Sequence, residues 1–262
     1  MLALIAGRGA LPTVVAETLP TRPIVCALEH VAPTDLAPDH VFRLEKVGGL
    51  LRWLKAQGVT QICMCGAIRR PEFEWRQLDM ATLLMVPRIF RALRRGDDGA
   101  LRIVIAMFED AGFEVLAAHE AVPSLLPDAG VPTFSQPSPE ADRLARIGDD
   151  VSADQARDDL GQACIVARSG IPAREGEDGT DAMLRAAGQE VKGGILYKAP
   201  KPGQERRADL PTIGPDTARN AAEAGLAGIV IEADGVMVLN FEETLRRLDA
   251  EGLFLWIRER PE

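Results

Sequence analysis

The chain has 262 residues, of which 47% are hydrophobic and 26% charged, with a net charge of −9 and a pI near 5.0. That composition supports one large globular core or two modest ones, and it argues against a role in coating nucleic acid. No apolar run approaches the ~18 residues a membrane span needs. The opening "MLALIAGRG" has no basic segment before its apolar run, so no signal peptide is expected.

In chain order, "LALIAG" reads as a strand, a glycine turn follows, and "RGALPTVVAETL" reads as a helix. "RPIVCAL" and "VTQICMCGAI" are further strands, with the helical "VGGLLRWLKAQG" between them. "MATLLMVPRIFRALRRG" predicts a helix interrupted at Pro87. "GALRIVIAMFEDAG" predicts another, followed by the strand "FEVLAA". Alternating strands and helices predict a parallel α/β sheet. The proline-rich "PSLLPDAGVPTFSQPSPE" marks a linker, which divides the chain into residues 1–130 and 131–262.

Beyond the linker, "SPEADRLARIGDDVSADQARDDLGQ" is helical in part and "ACIVARSGIPARE" is a strand pair. "GTDAMLRAAGQE" is a helix capped by Thr180 or Asp181, and "GGILYKAP" is a strand. "PDTARNAAEAG" is a helix, "LAGIVIEADGVMVLN" a hairpin turning at Asp234-Gly235, and "FEETLRRLDAEG" a final helix. The four cysteines, Cys26, Cys63, Cys65 and Cys164, match no zinc or disulfide spacing and read as buried thiols of a reducing compartment.

Several stretches carry candidate chemistry. The Gly7/Gly9 turn could offer backbone amides to an anion, or it could simply be a tight turn. Pro12 replaces the third glycine of a dinucleotide fingerprint, so a nicotinamide enzyme using Glu29 is a runner-up. Arg69 and Arg70 follow a strand at the edge where open α/β sheets bind ligands. Asp98 follows an arginine pair and reads either as a cap or as a site group, while His119 and Glu120 follow a strand. His30 and His40 lie in loop-like sequence and are assigned no role. Glu175 and Asp181 belong to an acidic turn that could suit a hard divalent ion or could simply be solvated.

The densest stretch is "YKAPKPGQERRADLPTIG", residues 197–214. Its prolines stiffen a loop holding Lys198, Lys201, Gln204, Arg207 and Asp209. Cations there could hold a diphosphate, and Asp209 could bind a metal or activate water. In an extended chain Arg207 and Asp209 face one side, where the arginine would keep the carboxylate ionised.

"LIAGRGALP", "GAIRRP", "RRGDD", "GFEVLAAHE", "DLGQ", "GTDAML" and "KAPKPGQERRADLPTIG", in this order, resemble the LpxI-type UDP-2,3-diacylglucosamine pyrophosphatases of lipid A synthesis over essentially the whole chain. Asp178 and Ala67 stand where that family often has Glu and Asn. The resemblance implies an N-terminal Rossmann-like domain, a C-terminal α/β domain and a substrate chamber between them. It implies Mg²⁺-dependent hydrolysis of UDP-2,3-diacylglucosamine to 2,3-diacylglucosamine 1-phosphate and UMP, with water attacking the phosphorus nearer the sugar. Asp209, Lys198, Lys201 and Arg207 are then expected to be catalytic, and Asp209, Glu175 and Asp181 to hold the metal. The substrate is expected to touch Gly7, Gly9, Leu11, Pro12, Gly66, Arg70, Asp98, His119, Glu120, Gly179, Thr180, Asp181, Gln204, Thr212 and Gly214. A cytoplasmic homodimer that meets its lipid-linked nucleotide-sugar at the inner-membrane surface is implied, with an apolar tunnel for the acyl chains and no nucleic-acid partner. A non-catalytic binder of a nucleotide-sugar or acylated sugar is the alternative; it would gain nothing from a carboxylate beside a bound diphosphate.

Overall fold

A computed structural model describes residues 1–31, 33, 35–68, 73–94, 97–157 and 161–259. Contacts divide them into two units: residues 1–123 with 205–209, and residues 124–204 with 210–262. The boundary between them lies at residues 123–124, and five residues of the second half, 205–209, cluster with the first unit.

The first unit comprises β1 (Leu2–Ala6), α1 (Leu11–Thr18), β2 (Ile24–Leu28), β3 (His40–Phe42), α2 (Val47–Ala56), β4 (Gln61–Cys65), α3 (Val86–Leu93), α4 (Asp97–Asp110), β5 (Glu114–Leu116) and the single turn α5 (Ala118–Ala121). Its five strands run in the order β3-β2-β1-β4-β5 and every pairing is parallel. Both faces of such a sheet are covered, so its strands read as continuous apolar runs, as "LALIA" and "QICMC" do. Two expectations need correction here. His40 lies in a strand, not a loop; its ring stacks on Trp53. Pro87 does not break a helix: it occupies the first turn of α3, where its missing N–H costs nothing.

The second unit comprises α6 (Pro139–Arg157), β6 (Ala163–Ala167), β7 (Gly170–Arg174), α7 (Gly179–Ala186), β8 (Ile195–Lys198), β9 (Thr212–Ile213), α8 (Pro215–Glu223), β10 (Gly228–Glu232), β11 (Met237–Val238), α9 (Phe241–Ala250) and β12 (Phe254–Arg258). Its sheet runs β12-β10-β8-β6-β7; the first three strands are parallel, and β6 pairs antiparallel with both β8 and β7. Residues 226–240 are not a hairpin. β10 pairs with β8 and β12, while β11 leaves to pair with β9, although Asp234 does turn the chain at φ 56°. Helix α7 is preceded by Asp178, not capped by Thr180 or Asp181. Three elements are joined by one polar node: Asp149 of α6 accepts hydrogen bonds from the Tyr197 hydroxyl of β8 (2.6 Å) and from Arg258 of β12 (2.8 Å to each oxygen). All four cysteines are buried and free, as their spacing predicts.

Candidate functional site

In the first unit the strand order reverses between β1 and β4, the place where open α/β sheets bind ligands beyond the carboxyl ends of their strands. Gly7 and Gly66 lie there, immediately after the two strands. The Gly7 N–H donates to the Cys65 carbonyl (2.8 Å), Arg8 N–H to Ala67 (2.8 Å) and Ala67 N–H back to Arg8 (2.9 Å). A Cβ on Gly7 would lie 2.6 Å from the Ala67 carbonyl oxygen, and one on Gly66 would lie 2.8 Å from that of Arg8. The two loops are zipped together, and glycine permits their approach. The amides of Gly7 and Arg8 are consumed by that zipper, so the expected anion cradle gives way to the tight-turn reading at these two positions. Glu29, the acid of the nicotinamide reading, is engaged by Arg43 at 2.5 Å.

Beneath this turn lies a cavity of about 360 Å³, within the range of roughly 300–1,000 Å³ typical of small-molecule sites. The carboxyl-terminal ends of the strands line it through Ile5, Leu28, Phe42 and Met64. Val47 and Leu51 of α2, Ile89 and Leu93 of α3, and Leu101, Val104 and Met107 of α4 complete walls that are almost wholly aliphatic or aromatic. Among the described residues, one carboxylate reaches the lining: Asp209, brought by the segment 205–209.

That segment is a turn, so the extended geometry that would set Arg207 and Asp209 on one side does not apply. The amides of Ala208 and Asp209 both donate to the Glu205 carbonyl (3.2 and 3.1 Å), and Ala208 packs on the first unit's core. Asp98, in the first turn of α4, accepts the Glu205 N–H at 2.6 Å and Arg102 Nε at 2.9 Å. Burial raises the Asp98 carboxyl, but these two donors outweigh it and leave its pKa below the ordinary value. Arg207 donates to Glu205 Oε1 (2.9 Å) and to Glu109 Oε1 (2.7 Å). The Glu205 hydrogen bond, with Glu109 adding to it, holds the guanidinium pKa above its usual range; the Arg207 bond correspondingly depresses that of Glu205. Arg207 and Asp98, expected at the substrate, thus clamp the segment that presents Asp209. Glu205, Arg102 and Glu109 belong to the same clamp and were not singled out from sequence. The only local sign of it was Asp98 and Arg102 spaced i,i+4.

His119 and Glu120 lie in α5, and Glu120 accepts the Ala117 N–H at 2.7 Å, closing its own helix end. Leu11 and the buried Pro12 open α1. Arg69 and Arg70 lie outside the described residues.

The second unit gathers a different group. Lys198 ends β8 and is 7% exposed. Its ammonium donates to Thr180 Oγ1 (2.7 Å) and to the Thr212 carbonyl (3.0 Å). The Thr180 hydroxyl donates onward to Glu175 Oε1 (2.6 Å), whose other oxygen accepts the Gln162 N–H. Burial lowers the Lys198 pKa, and the charges of Glu175 and Asp181 act against that. Asp181 Oδ1 is buried and has no hydrogen-bond partner among the described residues. In the loop that follows, the Lys201 amide donates to Gln204 Oε1 (3.0 Å) and the Gln204 amide to the Lys201 carbonyl (3.2 Å). Gly179 opens α7 and Gly214 immediately precedes α8. Among the described residues no three His, Cys, Asp or Glu side chains are grouped as metal ligands, and no helix is long and apolar enough to cross a membrane.

Comparison with known proteins also divides the chain in two, at a single boundary in sequence. The LpxI N-terminal domain model matches residues 1–125 and the LpxI C-terminal domain model residues 128–256. A curated relative from Caulobacter vibrioides, UDP-2,3-diacylglucosamine pyrophosphatase LpxI, is 37% identical over 97% of this chain and 96% of its own length. Two domain matches in order, and a relative aligned from end to end, place the chain in the LpxI family.

Proposed function

We propose that this protein hydrolyses the diphosphate of UDP-2,3-diacylglucosamine, giving 2,3-diacylglucosamine 1-phosphate and UMP. The observation that carries the reading is an aliphatic cavity with the carboxylate of Asp209 in its lining. An acylated sugar diphosphate needs both features: apolar walls for a chain, at about 0.8 kcal/mol per buried methylene, and a group that orients water at phosphorus. The activity named for the Caulobacter vibrioides relative supports the same reading.

In this mechanism Asp209 takes a proton from, or positions, the attacking water. The water oxygen bonds to the phosphorus nearer the sugar, the P–O–P bond breaks, and UMP leaves with the bridging oxygen. Lys201, and the ammonium hydrogen of Lys198 not used by Thr180 and Thr212, supply positive charge to the diphosphate. The clamp of Asp98, Glu205 and Arg207 holds the carboxylate in place.

Mg²⁺ belongs to the same proposal, since a divalent ion would neutralise the charge of the diphosphate. The carboxylates expected to bind it are Asp209, Glu175 and Asp181: each Glu175 oxygen accepts one hydrogen bond and keeps a lone pair for a cation, and Asp181 Oδ1 is buried without a hydrogen-bond partner among the described residues. A cytoplasmic location, contact with the inner membrane and a homodimer complete the proposal; light scattering that finds a monomer would remove the last.

The test is purified protein with UDP-2,3-diacylglucosamine, with Mg²⁺ or with chelator, in H₂¹⁸O. UMP should appear only with Mg²⁺, and the heavy oxygen should enter the sugar phosphate. UDP-N-acetylglucosamine should be a very poor substrate, and equal turnover of the two would remove the lipid assignment.

A further inference from the structure

Helix α3 lines the apolar cavity with Ile89, Ala92 and Leu93. The chain just before it does something apolar chains seldom do. Eight large hydrophobic side chains are exposed among the described residues, and four of them fall within ten positions: Trp75 (61%), Met80 (82%), Leu83 (47%) and Leu84 (90%). Scattered exposed apolar residues need no explanation, but a cluster does.

This exposure is built into the fold. The Glu74 amide donates to the carboxylate of buried Glu45 (2.6 Å), and the Asp79 amide to the Glu45 carbonyl (3.2 Å). Thr82 is fully buried; it accepts the Gly48 N–H (2.9 Å) and donates its own amide to Asp79 (2.6 Å). A Cβ on Gly48 would lie 2.6 Å from the Ala81 carbonyl oxygen, so α2 carries glycine where this segment crosses it. With Thr82 pinned inward, Leu83 and Leu84 are held in solvent. Trp75 stacks on Phe90 of α3 at 4.9 Å, which ties the segment to the helix.

The charge around the cluster is specific. Residues 75–94 contain four arginines and one aspartate, a net of +3 in a chain of net −9. Arg76, Arg88, Arg91 and Arg94 are all exposed, and of these Arg88 pairs with Asp110. Exposed Trp, Leu and Met beside arginines are the composition of an element that lies in an anionic lipid surface.

We propose that residues 75–94 form a docking surface for an anionic bilayer, placed so that an acyl chain leaving the membrane meets the helix that walls the cavity. The proposal rests on the acylated-substrate reading above for its purpose, but its binding is measured without substrate. The probes are vesicles of phosphatidylcholine with about one-third phosphatidylglycerol, and of phosphatidylcholine alone. The intact protein should co-sediment with the first and not the second, and less so as salt rises. The pair Met80→Glu/Leu84→Glu should weaken binding about tenfold or more, and Arg91→Glu/Arg94→Glu by a similar factor at low salt. Both pairs change exposed side chains, so melting temperature should stay near wild type. Absence of vesicle binding by the wild type, or variants that bind as it does, would overturn the proposal. So would a wild-type dimer that the first pair dissociates without any loss of vesicle binding, because the face would then cover a second copy of the chain. A short-chain, water-soluble UDP-2,3-diacyl sugar, assayed without vesicles, separates the two readings. Wild type and variants should hydrolyse it alike, and no hydrolysis by any of them would sink the proposed function while leaving the vesicle result to stand.

Discussion

Two charged clusters of this protein solve opposite problems. The clamp around Glu205 reaches the surface of the first unit: Glu205 itself is buried, but its partners Arg207 and Glu109 are 36% and 46% exposed. The group around Lys198 lies inside the second unit, with its ammonium nearly inaccessible. In water a charge is already well solvated, so the clamp's ion pairs gain little, and their value lies in fixing the geometry of Asp209. Inside, a charge without partners is intolerable, so Lys198 is surrounded by a hydroxyl, a carbonyl and two nearby carboxylates. Exposure therefore decides whether a charged group chiefly positions its neighbours or must itself be sustained by them.

The largest expected effect tests what the clamp is for. Asp209→Ala should lower kcat by about two to four decades while substrate binding persists, because the cavity and lysines are intact. Asp216→Ala is the control: Asp216 is exposed and pairs only locally with Arg219. If the control is the inactive one, the wrong aspartate has been chosen. On the interior side, Lys198→Ala should cost about 3–5 kcal/mol in thermal or denaturant unfolding, since it strands Glu175 and Asp181 beside a lost charge. A change within the error of the melt would show that the ammonium is not sustained as described.

The clusters should also part under pH. Burial lowers the Lys198 pKa, so between that value and the ordinary ~10.4 the unfolded chain binds more protons and stability rises with pH. If turnover needs the charged ammonium, activity should fall across the same alkaline window, and Lys198→Arg should move that limb upward. The depressed Asp98 and Glu205 behave in the opposite sense. Their contribution is present above the ordinary carboxylate range, near pH 4, and is lost as pH falls below it. Hydrogen exchange of the Glu205 amide should accelerate there relative to its neighbours once intrinsic rates are removed.

The smallest effect is Glu109→Gln, worth no more than about 1 kcal/mol of stability because the pair is exposed. It should nevertheless lower kcat more than it raises KM if the clamp positions Asp209. An unchanged kcat would leave Arg207 held by Glu205 alone.

Sequence by itself determined the alternation of strands and helices in the first unit, since apolar runs such as "LALIA" and helical spacing in "VGGLLRWLKAQG" are local signals. It also singled out the stretch containing Lys198 and Asp209 through its density of charge and proline. It missed β3 and β12 and misread residues 226–240, because which strand pairs with which is set by crossovers between distant segments. It set Arg207 and Asp209 on one side of an extended chain, but spacing shows which side a residue faces only once the backbone conformation is known, and here the segment is a turn. Only the tertiary structure could decide that Asp98 and Glu109 receive that turn, about a hundred residues away in the chain. Hydrogen bonds and burial act through space: a carboxylate's role depends on which donors the fold delivers to it, and no local pattern records them.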